Sequence, residues 1–269
     1  MRYDPERVAS FYDVDPEKEW ERFDEPRMGA ASLGVHTHYL RRFVRDGDRV
    51  LDVGAGPGRF TIELARLGAT VVVADLSPRQ LEANRDKVAA AGLEERVEAR
   101  VIADVTDLSK FADDDFDAVV CYGGPLSYVV DEAETAVAEL VRVLRPRGHL
   151  LVSVMSLVGA VSHYADEVVR LVRRDGATKL EEVVRTGFLP EEPDYGHLGM
   201  HLYRWRELHE LLSCHGDVVA GTATGLLQPT EIPPEPEVRE LLVRLELELG
   251  AEPAAIDAGE HMLAVLRKP

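Results

Sequence analysis

The stretch Val50-Leu51-Asp52-Val53-Gly54-Ala55-Gly56-Pro57-Gly58 decides the fold. A short apolar strand runs into Gly-x-Gly-x-Gly, and Phe60 to Leu67 then reads as a helix. Glycines let the chain take positive φ and bring its backbone close to a ligand. The helix behind them starts with unpaired N–H groups. A dinucleotide fingerprint, Gly-x-Gly-x-x-Gly, would place its third glycine where Arg59 stands. Asp52 would crowd a pyrophosphate but suits a ligand carrying positive charge. No Gly-Lys-Ser/Thr follows, which excludes a P-loop.

Outward from this loop, strands and helices alternate. Thr70 to Ala74 is a β-branched run suited to a buried strand, and Ser77-Pro78 starts a helix reaching about Ala91. Val97 to Ile102, Phe116 to Cys121 and His149 to Val154 are further strands, with an amphipathic helix from Glu132 to Leu144. Asp217 to Thr222 and His261 to Arg267 are late strands. This order predicts an α/β, Rossmann-like, doubly wound and mostly parallel seven-stranded sheet, with helices on both faces and the last strand antiparallel. Residues 1–45 read as a helical lid segment, in which Asp4-Pro5 and Asp15-Pro16 pair an N-cap acid with proline at the first helical position. The core is expected over 46–269, with a cap insertion at 156–203 and a second insertion at 228–259. The cap is expected to hold a helix near Tyr164 to Arg174 and a loop.

Asp52, Gly54, Gly56 and Gly58 give the chain a resemblance to the class I S-adenosylmethionine-dependent methyltransferases, whose first motif is an acid followed by Gly-x-Gly-x-Gly. The resemblance implies that the loop, Ala55 included, cradles the methionine and ribose parts of S-adenosyl-L-methionine. Asp52 would then help hold the ammonium end through water. Asp75 would accept the ribose hydroxyls, with Leu76 against the adenine. Asp104 would accept from the adenine amino group, with Val105 beside the ring. Cys121, Tyr122 and Gly123, in the run Cys121-Tyr122-Gly123-Gly124-Pro125-Leu126-Ser127-Tyr128, would approach the sulfonium at the end of the fourth strand. The resemblance is specific over residues 48–155, and includes a turn at Leu144-Arg145-Pro146-Arg147-Gly148 where Arg147 replaces a more usual glycine. The Asn/Asp-Pro-Pro-Tyr/Phe motif of nucleic-acid amino methyltransferases is absent.

Composition narrows the partners. The chain has 269 residues and a net charge of -18, from 49 acidic against 31 basic residues. Such a surface repels phosphate backbones and anionic lipid, so no nucleic acid and no membrane is expected as a partner. The basic residues are mostly Arg, a composition that fits a salt-adapted or high-GC source. Cys121 and Cys214 make neither a disulfide scaffold nor a metal cage, so no metal site is expected and a reducing cytoplasm fits. The N-terminus has no apolar stretch of a signal peptide, and no run approaches a transmembrane length.

The implied reaction is in-line displacement of the sulfonium methyl toward a small-molecule acceptor, nitrogen or oxygen ahead of carbon or sulfur. The alternative is an S-adenosylmethionine-binding regulatory protein without methyl transfer. A monomer or homodimer is expected. Tyr122, Tyr128, His163 and Tyr164 are the candidates for catalytic contact with the acceptor. His36, His38, Tyr195, His197 and His201 also fall in segments that could face it, although packing explains most histidines. Tyr12 and Trp20 could cover the site or pack the lid.

Overall fold

A computed structural model describes residues 2–24, 29–192, 197–229 and 231–269. The N-terminal part carries α1 (Pro5–Tyr12), α2 (Pro16–Glu21), a 3-10 turn (Arg22–Asp24) and α3 (Gly29–Phe43). Asp4 accepts the Arg7 amide and Asp15 the Lys18 amide, each followed by proline at the start of its helix. The alternating part follows as β1 (Arg49–Val53), α4 (Arg59–Arg66), β2 (Thr70–Asp75), α5 (Pro78–Ala90), β3 (Val97–Ile102) and β4 (Phe116–Cys121). It continues through α6 (Pro125–Tyr128), α7 (Ala133–Val143) and β5 (Leu144–Met155). The cap comprises α8 (Leu157–His163), α9 (Ala165–Asp175), α10 (Ala177–Thr186), β6 (Phe188–Leu189) and β7 (Met200–His201). The chain closes with α11 (Trp205–Ser213), β8 (Asp217–Thr224), α12 (Pro236–Gly250) and β9 (His261–Arg267).

Seven strands form one sheet in the order β3-β2-β1-β4-β5-β9-β8. The first five pair in parallel, while β9 runs antiparallel to both β5 and β8. The order in which successive strands are added reverses beside β1, where the chain crosses from β3 back to β4. Open α/β sheets bind ligands at such a point, outside the carboxyl ends of the strands.

The apolar strands are buried on both faces, so neighbouring residues enter different cores. Leu51, Val53, Val119 and Val152 pack with Leu140 of α7 and Leu208 of α11. Val50, Val71, Val120 and Leu151 pack with Leu40 of α3, Leu64 of α4 and Leu81 of α5. Full burial of each such side chain contributes roughly 1.5–3 kcal/mol.

The N-terminal stretch divides in two. Helix α3 belongs to the core, with Val35 and Leu40 fully buried, whereas residues between Tyr3 and Phe23 line a cleft at the carboxyl ends of the strands. Helix α12, from the second insertion, packs on α3 where Gly34 leaves room. A Cβ there would stand 2.5 Å from a Val243 methyl.

Two local features depart from the sequence expectation. Residues 144–148 are the irregular start of β5 rather than a separate turn. Phe116 pairs with Leu144 and Ala118 with His149, so the intervening chain bulges. Arg147 takes φ 64° there, and its amide donates to the Lys268 carbonyl. In the cap, α10 and the two-stranded β6–β7 pair occupy what reads as a loop in sequence.

Candidate functional site

Loop 54–58 leaves β1 with positive φ at Gly54 (65°), Gly56 (53°) and Gly58 (100°). Two constraints meet at Gly54, since a Cβ would also stand 2.3 Å from Pro125 Cγ. The loop amides are committed internally. Gly54 and Ala55 donate to the Ala74 carbonyl at 2.8 and 3.3 Å, Gly58 to the Ala55 carbonyl at 3.2 Å, and Gly56 to Asp75 Oδ2 at 2.8 Å. An anion nest needs several free N–H groups on one concavity. Here they are spent, which fits a ligand that approaches the loop without a phosphate.

Asp75 closes the end of β2. Its second oxygen accepts the Ser77 amide at 2.9 Å. Each carboxylate oxygen retains acceptor capacity beyond one amide. Burial pushes its pKa up to about 6, against the pull of these amide bonds. Leu76 and Gly56 lie with Asp75 on the wall of a cleft of about 910 Å³, its open mouth included.

Asp52 is not among the residues lining this cleft. It is buried under the loop, where Thr61 Oγ1 donates to Oδ2 at 2.7 Å. Asn84 Nδ2 donates to the Thr61 hydroxyl at 2.9 Å, and Arg100 Nε to Asn84 Oδ1 at 3.0 Å. Burial, reinforced by the nearby Asp75 charge, pushes the Asp52 carboxyl up to about 7. The sequence stops at the acid and its spacing; its Thr61–Asn84 network needs the packing of α4 on α5.

Val105 lines the cleft beside Ala103, while the Asp104 carboxylate accepts from the Tyr3 hydroxyl at 3.0 Å and from the Thr106 amide at 2.9 Å. Tyr122, Gly123 and Tyr128 line it from the end of β4. Cys121 is fully buried within the sheet, and burial holds its thiol protonated well above the usual range.

The N-terminal segment covers the cleft. Tyr12, Glu19, Arg22 and Phe23 line it, and Tyr12 meets Tyr128 edge-on at 5.8 Å. Contacts to α4 and α5 latch this cover. The Arg59 guanidinium lies 3.8 Å from the Trp20 ring centroid, donates to the Trp20 carbonyl, and pairs with Asp24 at 2.6 Å. Lys87 pairs with Glu17 at 2.7 Å, Gln80 donates to the Tyr12 carbonyl at 3.0 Å, and the Ser77 hydroxyl donates to Asp13. Arg59, Gln80 and Arg22 escape sequence analysis, because their partners lie more than fifteen residues away or their role is set by the fold.

The remaining candidates disperse. His163 and Tyr164 are outside the cleft lining, and the Tyr164 hydroxyl donates to Glu260 at 2.6 Å. His36 is buried beside Tyr122, and His38 is exposed. His197 Nδ1 meets the Leu198 carbonyl at 3.0 Å, and His201 pairs with Glu207 at 2.5 Å. Tyr195 lies outside the described residues. Among the described residues, no group of three or more His, Cys, Asp or Glu could hold a metal, and no helix is long and apolar enough to cross a membrane.

Known proteins match this arrangement. Residues 50–148 match the family described as methyltransferase domain. Methyltransferase GfsG of Streptomyces halstedii is 39% identical over 146 residues, which cover 54% of this chain and 51% of that protein. A demethylmenaquinone methyltransferase of Mycobacterium marinum is 41% identical over 155 residues, covering 55% and 59%. The matched region thus spans between half and three fifths of these relatives. In fold, the chain is similar to a Haloferax volcanii protein solved in complex with the Trm112 methyltransferase activator, with TM-score 0.64, 18% identity and 97% of both chains covered. It is also similar to the Burkholderia thailandensis 1,6-didemethyltoxoflavin-N1-methyltransferase, with TM-score 0.56, 20% identity, and 100% and 92% covered. The glycine loop, the sheet order and the matched region agree, and residues 50–148 of the chain are similar to the methyltransferase domain of S-adenosylmethionine-dependent methyltransferases.

Proposed function

We propose that this protein transfers a methyl group from S-adenosylmethionine to nitrogen or oxygen of a small-molecule acceptor. The carrying observation is the pairing of the Gly54–Gly58 loop with Asp75 at the wall of a covered cleft. When bound, the cofactor supplies a methyl group already activated on a sulfonium. The chain's own work is therefore to bind, orient and exclude water.

Asp75 is placed to accept ribose hydroxyls with the lone pairs its amide donors leave free. Leu76, Ala103 and Val105 offer apolar contact to an adenine, while Asp104, off the cleft lining, holds Tyr3 of the cover through its carboxylate. Gly123 keeps the end of β4 free of a side chain beside the reacting centre. Asp52 fits this assignment as a support of the loop through Thr61, rather than as a direct contact. Tyr122 and Tyr128 face the acceptor side, and the cover formed by residues 3–24 acts as a lid. Orientation of two bound reactants supplies on the order of 7–11 kcal/mol of a barrier, and exclusion of water strengthens the electrostatics within the site.

Calorimetric titration with S-adenosylmethionine and S-adenosylhomocysteine, with NAD as the control, tests the assignment. Micromolar binding of the first two, lost in Asp75→Ala, is expected. NAD binding in their place would overturn it.

A further inference from the structure

Arg22 differs from the other arginines that the fold largely buries. It lines the cleft, and its Nε is a buried atom without a hydrogen-bond partner. Its ion pair with Glu19 spans 3.6 Å, too long for a hydrogen bond. Arg49, Arg59, Arg100 and Arg142 are comparably buried, and each pairs with a carboxylate at 2.6–2.8 Å. A guanidinium carries five N–H donors. Polar groups withdrawn from water are normally satisfied, and a charge left without hydrogen bonds is costly. Open donors on the wall of a cleft therefore point to an anionic ligand.

The backbone under Arg22 is clamped on both sides. Trp20 is held by Arg59, and Phe23 packs edge-on against Phe60 at 5.4 Å. From there the side chain reaches the end of β4, where Nη2 lies 3.2 Å from the place a Cβ on Gly123 would take. Gly123 thus makes room for the guanidinium. The Arg22 charge also acts on Tyr128, after β4, and on His261, at the start of β9. Asp75, Leu76 and Val105 instead follow the ends of β2 and β3. The sheet order puts β2 and β3 on one side of β1, and β4, β5 and β9 on the other. Arg22 therefore stands across the Gly54–Gly58 loop from the residues assigned to adenosine.

We propose that Arg22 holds a carboxylate of the methyl acceptor, and that the acceptor is a small carboxylic acid with an apolar body. The proposal rests on the methyl-transfer reading and names its substrate class. The planar guanidinium fork matches the two oxygens of a carboxylate. Tyr12, Phe23, Tyr122 and Tyr128 supply the apolar walls around it, with Tyr12 and Tyr128 edge-on at 5.8 Å. Few polar groups in a mostly apolar cleft are what orient a small molecule. Pairing with Arg22 engages the carboxylate lone pairs and lowers their nucleophilicity. The carboxylate is then the handle, and another nitrogen or oxygen of the acceptor takes the methyl group. The same cation offsets locally the repulsion that a net charge of -18 exerts on an anion.

The test uses the full chain saturated with S-adenosylhomocysteine. It is titrated calorimetrically with benzoate, phenylacetate and indole-3-acetate, and with the matching neutral amides. At least one carboxylate is expected to bind about tenfold more tightly than its amide, the size of one charge-assisted hydrogen bond. That carboxylate should also move the Arg22 Nε–H resonance of protein labelled with ¹⁵N-arginine. Arg22→Gln should abolish the preference while keeping S-adenosylhomocysteine affinity within about threefold, which also shows the variant folded. No carboxylate preferred over its amide, or an unmoved Nε resonance at saturation, overturns the proposal without recourse to any variant. Loss of S-adenosylhomocysteine binding in Arg22→Gln, with 5′-methylthioadenosine binding unchanged, assigns Arg22 to the cofactor's own carboxylate and overturns the acceptor assignment. Failure of S-adenosylhomocysteine to bind the unaltered protein, seen before any probe is added, overturns the methyl-transfer reading itself.

Discussion

Asp75 Oδ2 accepts the Gly56 amide at 2.8 Å, so the tip of β2 and the loop after β1 form one unit. The bond crosses between neighbouring parallel strands and aligns a carboxylate with a left-handed glycine. A ligand that uses either element feels both.

Binding of S-adenosylmethionine should therefore depend on pH through Asp75. Its carboxyl titrates near 6 because burial disfavours the charge, and hydroxyl groups of a ribose need the ionised form as acceptor. Affinity is expected to rise from pH 5 to pH 7 by about tenfold, the change in ionised fraction for such a group. Asp75→Asn should flatten this dependence while binding more weakly at pH 7. Calorimetry at the two pH values checks both.

The loop glycine is equally specific. Gly54→Ala combines positive φ with a clash on Pro125 and should destabilise the fold by about 1–3 kcal/mol. Gly47→Ala also has positive φ, but nothing lies within 4 Å of the added carbon, so it should cost less. Urea unfolding of the two variants separates strain from clash.

Arg59 is expected to hold the lid. Its stacking on Trp20 and its bonds to the Trp20 carbonyl are together worth on the order of 1–3 kcal/mol. Arg59→Ala should raise hydrogen exchange across residues 5–24 and leave the sheet protected. Removal of residues 1–24 should likewise preserve the fold, whereas removal through 45 takes away the buried face of α3 and should unfold it.

The buried acids and histidines oppose each other in pH-dependent stability. Asp52 and Asp75 have raised pKa values, so between about pH 4.5 and 6 the folded state holds protons that the unfolded state has lost, and their effect is to lower stability as pH rises. His36 and His261 have lowered values, about 4 and about 3, so there the unfolded state holds the extra protons and stability rises with pH. Asp52→Asn should shift the slope of stability against pH upward by about 1.4 kcal/mol per pH unit, and His36→Phe should shift it downward by a similar amount. Denaturant midpoints measured across this window give both slopes.

Sequence by itself determined the alternating part of the fold. The β-branched runs at 70–74 and 116–121 are too short and too apolar for surface helices, and the aspartate–proline pairs start α1 and α2 where local chemistry requires. It also determined the glycine loop, because positive φ is a property of the residue itself. Local rules did not reach the cap, where α10 is stabilised by packing on α9 rather than by a strong local signal. Tertiary structure alone decided that Asp52 lies beneath the loop while Asp75 lies on the cleft wall, that Arg22 reaches Gly123 from the lid, and that His36 and His261, 225 residues apart, share one buried region. Those relations depend on long-range packing and on which polar atoms burial leaves without partners, and neither is encoded in the spacing of residues along the chain.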